Sequence, residues 1–258
     1  MTIATSGGVT RNWLDVPNDI MIIIFEKLGA FDIHYNAQRV CSLWHELAKE
    51  PQLFRSINFR DVWVQYKSSD AFLSSAKDAV ARSRGQLETL SHNGWELDKL
   101  LLYVADQPNV LKHLRLENFL NISEVIFAET VIEAVRKLPL LEELELKWFS
   151  FPPEVLKEVG CRCPELKCLR LIPSQIIRTD YYGMAFAIAE SMPQLRQLSL
   201  IGNGLSNDGL KAILDGCPHL EYLDLRQCGE VWFAKRSRIK KRLNKIKVVR
   251  YPDEPFYD

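Results

Sequence analysis

Three cysteines within eight residues, Cys161-x-Cys163-x-x-x-x-Cys168, with Cys217 and His219 farther along, are the densest set of potential metal ligands in the chain. Their spacing argues against a metal. Structural zinc is held by ligand pairs separated by two to four residues, and here a single residue separates the first pair. The five histidines, at 34, 45, 92, 113 and 219, show no i, i+4 pairing. There is no Gly-rich phosphate loop, no G-x-S-x-G and no H-E-x-x-H. The residues therefore point to no catalytic group, no metal and no cofactor. Six cysteines in 258 residues without a secretory leader read as reduced thiols that behave first as small apolar side chains.

Charge offers a second candidate chemistry. Lys235 to Arg250 carries nine basic residues and no acid, although 33 basic and 33 acidic residues cancel over the whole chain. Such a run could act in nuclear import or nucleic-acid contact, or as the polar outer face that a terminal repeat needs for solubility; the spacing favours the cap. The remainder is net acidic, which removes a global argument for a polyanionic partner. The longest apolar run, Ile20 to Phe25, is six residues, against the roughly 20 that a membrane span needs. With a polar start over residues 1–12, this leads to the expectation of a nuclear or cytoplasmic protein, not a membrane one.

The elements that must position any site come from repeats. Pro, a spacer and Leu-x-x-Leu-x-Leu recur as Pro139 with Leu141, Leu144, Leu146; Pro164 with Leu166, Leu169, Leu171; Pro193 with Leu195, Leu198, Leu200; and Pro218 with Leu220, Leu223, Leu225. Looser copies begin at Phe54, Leu87, Leu111 and Leu243 (the last read as Leu243, Ile246, Val248), giving an average step of 27 residues. That step lies within the range of leucine-rich repeats. Leu-x-Leu has period 2 and turns both leucines to one side of a short strand. Segments of helical spacing follow, as in Val131, Val135, Leu138 or Met184, Ile188, Met192, so stacking alone completes the core. The expected fold class is α/β: a small three-helix unit over residues 11–58, a solenoid with parallel strands inside and helices outside over 59–250, and an acidic tail over 251–258. In this frame Cys161 and Cys163 flank a unit boundary and Cys168 lies within a strand.

Residues between the inward leucines face the concave side and are the candidates for reading a target: His113, Arg115, Glu143, Glu145, Cys168, Arg170, Gln197, Ser199, Tyr222, Asp224, Lys245 and Lys247. Mixed signs with one tyrosine favour a protein over a nucleic acid, whose site would be uniformly basic. For any one of these positions an ordinary solvated sheet face is sufficient explanation.

Upstream of residue 58 the leucine period gives way to three short helical segments. Between Pro17 and Leu28, positions 20, 23, 24 and 28 form one apolar stripe, and Met21, Phe25 and part of Ile22 a second. A helix apolar on two sides needs two partners, and so small a unit supplies only one.

The run Trp13-Leu-Asp-Val-Pro-Asn-Asp-Ile20, Ile24-Phe25-x-x-Leu28, Asp32-Ile33, Val40-Cys41-x-x-Trp44-x-x-Leu47 and Glu50-Pro51-x-Leu53-Phe54 strongly resembles the F-box. Residues 207–228 resemble a cysteine-containing leucine-rich repeat, with Cys228 where other classes place asparagine. Together they are most similar to plant F-box proteins of the leucine-rich-repeat group. The resemblance implies that Val16 and Pro17, preceded by Trp13, stand at the family's Leu-Pro pair and dock a Skp-type adaptor, with Ile20, Ile24, Leu28, Val40, Cys41 and Trp44 completing the helical core and contact face. It implies a substrate receptor of a cullin-RING ubiquitin ligase that performs no chemistry itself and binds a target protein. A scaffold or inhibitor outside any ligase, whose helical start merely caps the solenoid, is the competing reading.

Overall fold

The computed structural model describes residues 13–60, 62–118, 123–149, 151–173, 183–229, 231 and 238–255. Residues 11 and 12 of the amino-terminal unit, Lys235 and Arg236 of the basic run, and 256–258 of the acidic tail lie outside them.

Among the described residues, eight short strands form one parallel sheet in sequence order: β1 (Ser56–Asn58), β2 (Thr89–His92), β3 (His113–Glu117), β4 (Glu143–Lys147), β5 (Cys168–Ile172), β6 (Gln197–Ser199), β7 (Tyr222–Asp224) and β8 (Val248–Arg250). Each unit pairs only with its neighbours. The register lines up one inward residue on each of β1 to β7: Ile57, Leu90, Leu114, Leu144, Leu169, Leu198 and Leu223, all buried. Each such side chain contributes about 1.5–3 kcal/mol relative to exposure, but only because the next unit covers it.

Helices return the chain along the outside: α3 (Ser69–Arg82), α4 (Leu97–Asp106), α5 (Glu124–Val135), α6 (Pro153–Arg162), α7 (Met184–Ser191), α8 (Asn207–Gly216) and α9 (Arg238–Leu243). The start of α8 is fixed by Ser206, whose hydroxyl accepts from the Gly209 N–H at 3.1 Å. Its end is fixed by close packing: a Cβ on Gly216 would lie 2.2 Å from the Ala189 carbonyl oxygen of α7.

Seven units take the register their leucines predict. The eighth is slipped by three residues. Val249, not Ile246, stands opposite Leu223, because Leu243 belongs to the end of α9, where it is fully buried. Leu243 and Ile246 are three apart, a spacing that helix and repeat share. Lys245 and Lys247 thus leave the concave row, and Val248 and Arg250 take their places. Lys247 pairs with Glu221 at 2.6 Å and Arg242 with Asp215 on the preceding unit, which suits a closing cap. Residues 251–255 are no free tail: Gln227 N–H donates to the Pro252 carbonyl at 3.1 Å, and Arg226 reaches Pro255 O at 3.3 Å.

The amino-terminal unit consists of α1 (Asn18–Tyr35), α2 (Ser42–Leu47) and 3-10 turns at Trp13–Asp15, Ala37–Arg39 and Pro51–Phe54. Gly29, at φ +80° and ψ 158°, breaks α1 in two, a backbone state that glycine alone adopts without strain. This produces the third helical segment. The unit has no core of its own: Met21, Phe25, Ile33 and Phe54 belong to the same buried cluster as the solenoid leucines. Hydrophilic clamps back this up, with the Tyr35 hydroxyl on Ser75 Oγ of α3 at 3.2 Å and Arg82 of α3 on Gln38 at 3.0 Å. No helix among the described residues is long and apolar enough to cross a membrane.

Candidate functional site

The helical period decides which side of α1 is free. Met21 and Phe25, four apart, are 1% and 0% exposed against the solenoid. The stripe on the other side leaves Ile20 45% and Ile23 50% exposed, and Leu28, eight residues after Ile20, is exposed as well. Trp13 (59% exposed) and Leu14 from the first turn, Pro17 at the cap of α1, and Val40 after the second turn are also exposed. Exposed apolar side chains this numerous in one small unit mark a contact surface.

The predicted contact residues therefore fall into two groups. Trp13, Pro17, Ile20, Leu28 and Val40 stand in solvent, whereas Val16, Ile24, Cys41 and Trp44 are half-buried, and Val16, Ile24 and Trp44 pack on the core. Trp44 ties the groups together, lying edge-on to Phe25 at 5.3 Å and to Trp13 at 6.2 Å between ring centres. Its indole N–H is buried with no hydrogen-bond partner among the described residues. Leu14 and Ile23 are exposed beside the predicted contact residues, though the sequence reading did not name them among those. Ile23 lies on the stripe the sequence shows, but nothing in its residue type separates it from Ile22, which turns inward.

The second surface is the concave sheet face, and here proximity changes the reading. Arg115 lies 3.1 Å from Glu143; Arg170 lies 3.1 Å from Glu145 and 3.4 Å from Glu143; His113 stands 3.3 Å from Glu143. Lys147 reaches Glu117 at 3.6 Å and Glu145 at 3.8 Å, and Arg60 holds Glu117 at 2.6 Å. Neighbouring strands lie about 4.8 Å apart, so charges alternating from strand to strand neutralise each other sideways. The carboxylates sink beneath the guanidinium groups: Glu143 and Glu145 are largely covered, and the Arg115 and Arg170 side chains remain about two-fifths exposed. Asp224 is 1% exposed, accepting from Tyr222 at 3.1 Å and from a forked Arg226 at 2.6 and 2.9 Å. Glu143, Glu145 and Asp224 are thus supports, and His113, Arg115, Arg170, Gln197 and Tyr222 are the members accessible to a partner. Ser199 and Cys168 are buried.

The cysteines are accounted for one by one. Cys163 and Cys217, each before a proline, donate to the carbonyls of Leu138 and Met192, the pre-proline residues one unit earlier, at 3.6 and 3.5 Å. Cys228 donates to Leu200 O at 3.0 Å, and Asn203 donates to Leu171 O at 3.0 Å. Cysteine and asparagine thus make the same bond in successive turns. Burial pushes these thiols up, Cys163 and Cys228 to about 12, Cys168 and Cys217 to about 11. Cys161 is exposed. Among the described residues, no group of three His, Cys, Asp or Glu could hold a metal ion.

An F-box-like family model matches residues 13–60. The chain is 41% identical to Putative F-box/LRR-repeat protein 23 of Arabidopsis thaliana over 95% of its own length and 54% of the relative's; it spans about half of that protein. It is 38% identical to F-box protein SKIP19 of the same plant, over 97% of this chain and 80% of that one. Putative F-box/LRR-repeat protein 22 is also 38% identical, over 96% and 79%.

Proposed function

The chain belongs to the F-box/LRR-repeat proteins, and we propose that it serves as the substrate receptor of a Skp-cullin-F-box ubiquitin ligase, gripping a Skp-type adaptor with its amino-terminal unit and a target protein with its repeats. The observation that carries this reading is the outward stripe of α1. It is a solvent-facing row of branched side chains on the segment matched by the F-box-like model, on a helix whose other side is already occupied. The competing role of a solenoid cap has support too, since Met21 and Phe25 do close the first repeat. The two roles use opposite sides of one helix and do not exclude each other.

In this role the protein contributes no bond-making group. It raises the effective concentration of a target lysine near the conjugating enzyme held by the other subunits. The concave face is suited to a protein partner of mixed charge, because its own ion pairs leave no uniform field to attract a polyanion. The test is co-elution in gel filtration with a purified plant Skp-type adaptor, followed by calorimetric titration. A complex that forms and joins cullin and RING subunits supports the reading; two components that never travel together refute it.

A further inference from the structure

A cavity of about 510 Å³ opens between α5, α6 and α7, at the end of the sheet where strands lead into helices. Its size falls in the range that holds one small organic molecule. It coincides with a break in the turn ladder. Three residues past the last leucine of the repeat (Leu200 and Leu225), Asn203 and Cys228 each donate to a leucine carbonyl of the preceding unit, but the corresponding residue, three past Leu146, is Phe149, whose side chain has no donor. Phe149 instead stacks on Phe127 at 4.1 Å and on Phe151 at 5.5 Å between ring centres, and with Val125, Ile132, Val155 and Met184 it forms an apolar wall.

The charged side chains described at the same cavity have one sign. Glu124, Glu129 and Glu154 line it and are exposed; no Lys or Arg lines it among the described residues, and Lys157, one turn along α6, feels the Glu154 charge from outside the lining. Glu124 and Glu154 stand in the first turns of α5 and α6, where each helix end supplies about half a positive charge. The two ends offset only part of the three negative charges, so the described rim stays net negative. An apolar wall with a negative rim selects against fatty or aromatic acids.

We propose that this cavity binds a small amphiphilic cation, an aromatic or aliphatic body carrying a protonated amine. The body fills the space against the stacked phenylalanines, and the ammonium group donates to the glutamate carboxylates. An ion pair with an exposed carboxylate is worth up to about fivefold in affinity, so two or three together give about tenfold. The site is independent of α1, so adaptor binding and amine binding succeed or fail separately.

The full chain is titrated calorimetrically with phenylbutylamine, phenylbutanol and phenylbutyrate. The amine is expected to bind about tenfold more tightly than the alcohol, and the acid more weakly than both. Glu124→Gln with Glu129→Gln and Glu154→Gln, all at exposed positions, should bring the amine down to the alcohol's affinity with the circular dichroism unchanged. Ala128→Phe, which fills the cavity, should abolish binding of both. Equal affinity for acid and amine, retention of the amine preference in the triple variant, or no heat from any of the three at millimolar concentration would each overturn the proposal.

Discussion

Replacing Ile20 and Ile23 together by alanine is the sharpest perturbation of the docking surface. Fully burying an isoleucine is worth about 1.5–3 kcal/mol. With Ile20 45% and Ile23 50% exposed, roughly half of that remains for a partner to realise at each position, about 0.7–1.5 kcal/mol. The pair then accounts for about 1.5–3 kcal/mol, or an adaptor affinity about 10–150-fold weaker. The melting temperature should hardly move, because neither residue closes the core. Met21→Ala makes the converse control: its side chain is 1% exposed, and emptying such a site costs about 2–5 kcal/mol of stability. Calorimetric titration of a Skp-type adaptor, paired with thermal melts, reads both quantities. A double variant that binds within about twofold of the parent, or melts as early as Met21→Ala, refutes the assignment of faces.

Three further outcomes follow from buried groups and the shared core. His92 stands where the register puts leucine in β3, and burial lowers its pKa from 6.5 to about 4, the Trp95 carbonyl 2.9 Å from Nε2 offsetting only part of that. The unfolded chain therefore binds more protons between these values, and stability present above pH 6.5 is lost as pH falls toward 4, by about 3 kcal/mol in all. His92→Leu should flatten that acid limb in urea melts at successive pH values; an unchanged limb would show that other groups dominate it. Brief treatment with iodoacetamide at neutral pH should label Cys161 and spare Cys163, Cys168, Cys217 and Cys228, whose thiols are buried and hold their protons; peptide mass analysis showing rapid labelling of the buried four would contradict their packing. Deleting residues 1–58 removes β1 and the cover over its neighbour, so the remainder should aggregate; light scattering that finds it monodisperse argues for an independent solenoid.

The repeats were readable because stacking forces a strict period: Leu144, Leu169, Leu198 and Leu223 must lie opposite one another, whereas the end of α8 at Gly216 depends on Ala189 of the neighbouring helix. The last unit was misread because Leu243 and Ile246 satisfy a helical and a repeat spacing at once, and only pairing with β7 chooses between them. The outer stripe of α1 was visible as periodicity, yet which stripe faced the solenoid depends on Phe54 and Ile57, far along the chain. On the concave face residue type gave position but not availability. Glu143 and Asp224 sit on the predicted side, and the arginines that cover them belong to other strands or turn back from the next loop. The cavity beside Phe149 had no sequence signature beyond a missing polar residue in one turn.

A continuous apolar interior running from α1 into the first repeats leaves no pivot between the amino-terminal unit and the curved sheet. Segments joined by a large greasy seam move as one body, unlike domains tethered by a polar linker. Whatever seizes the outer stripe of α1 thereby also dictates the attitude of the curved sheet, and a bound client would be presented at one preset bearing. Its susceptibility to modification would then depend on where its lysines fall along a narrow arc, and a lysine on the averted side would escape however tightly the client was held.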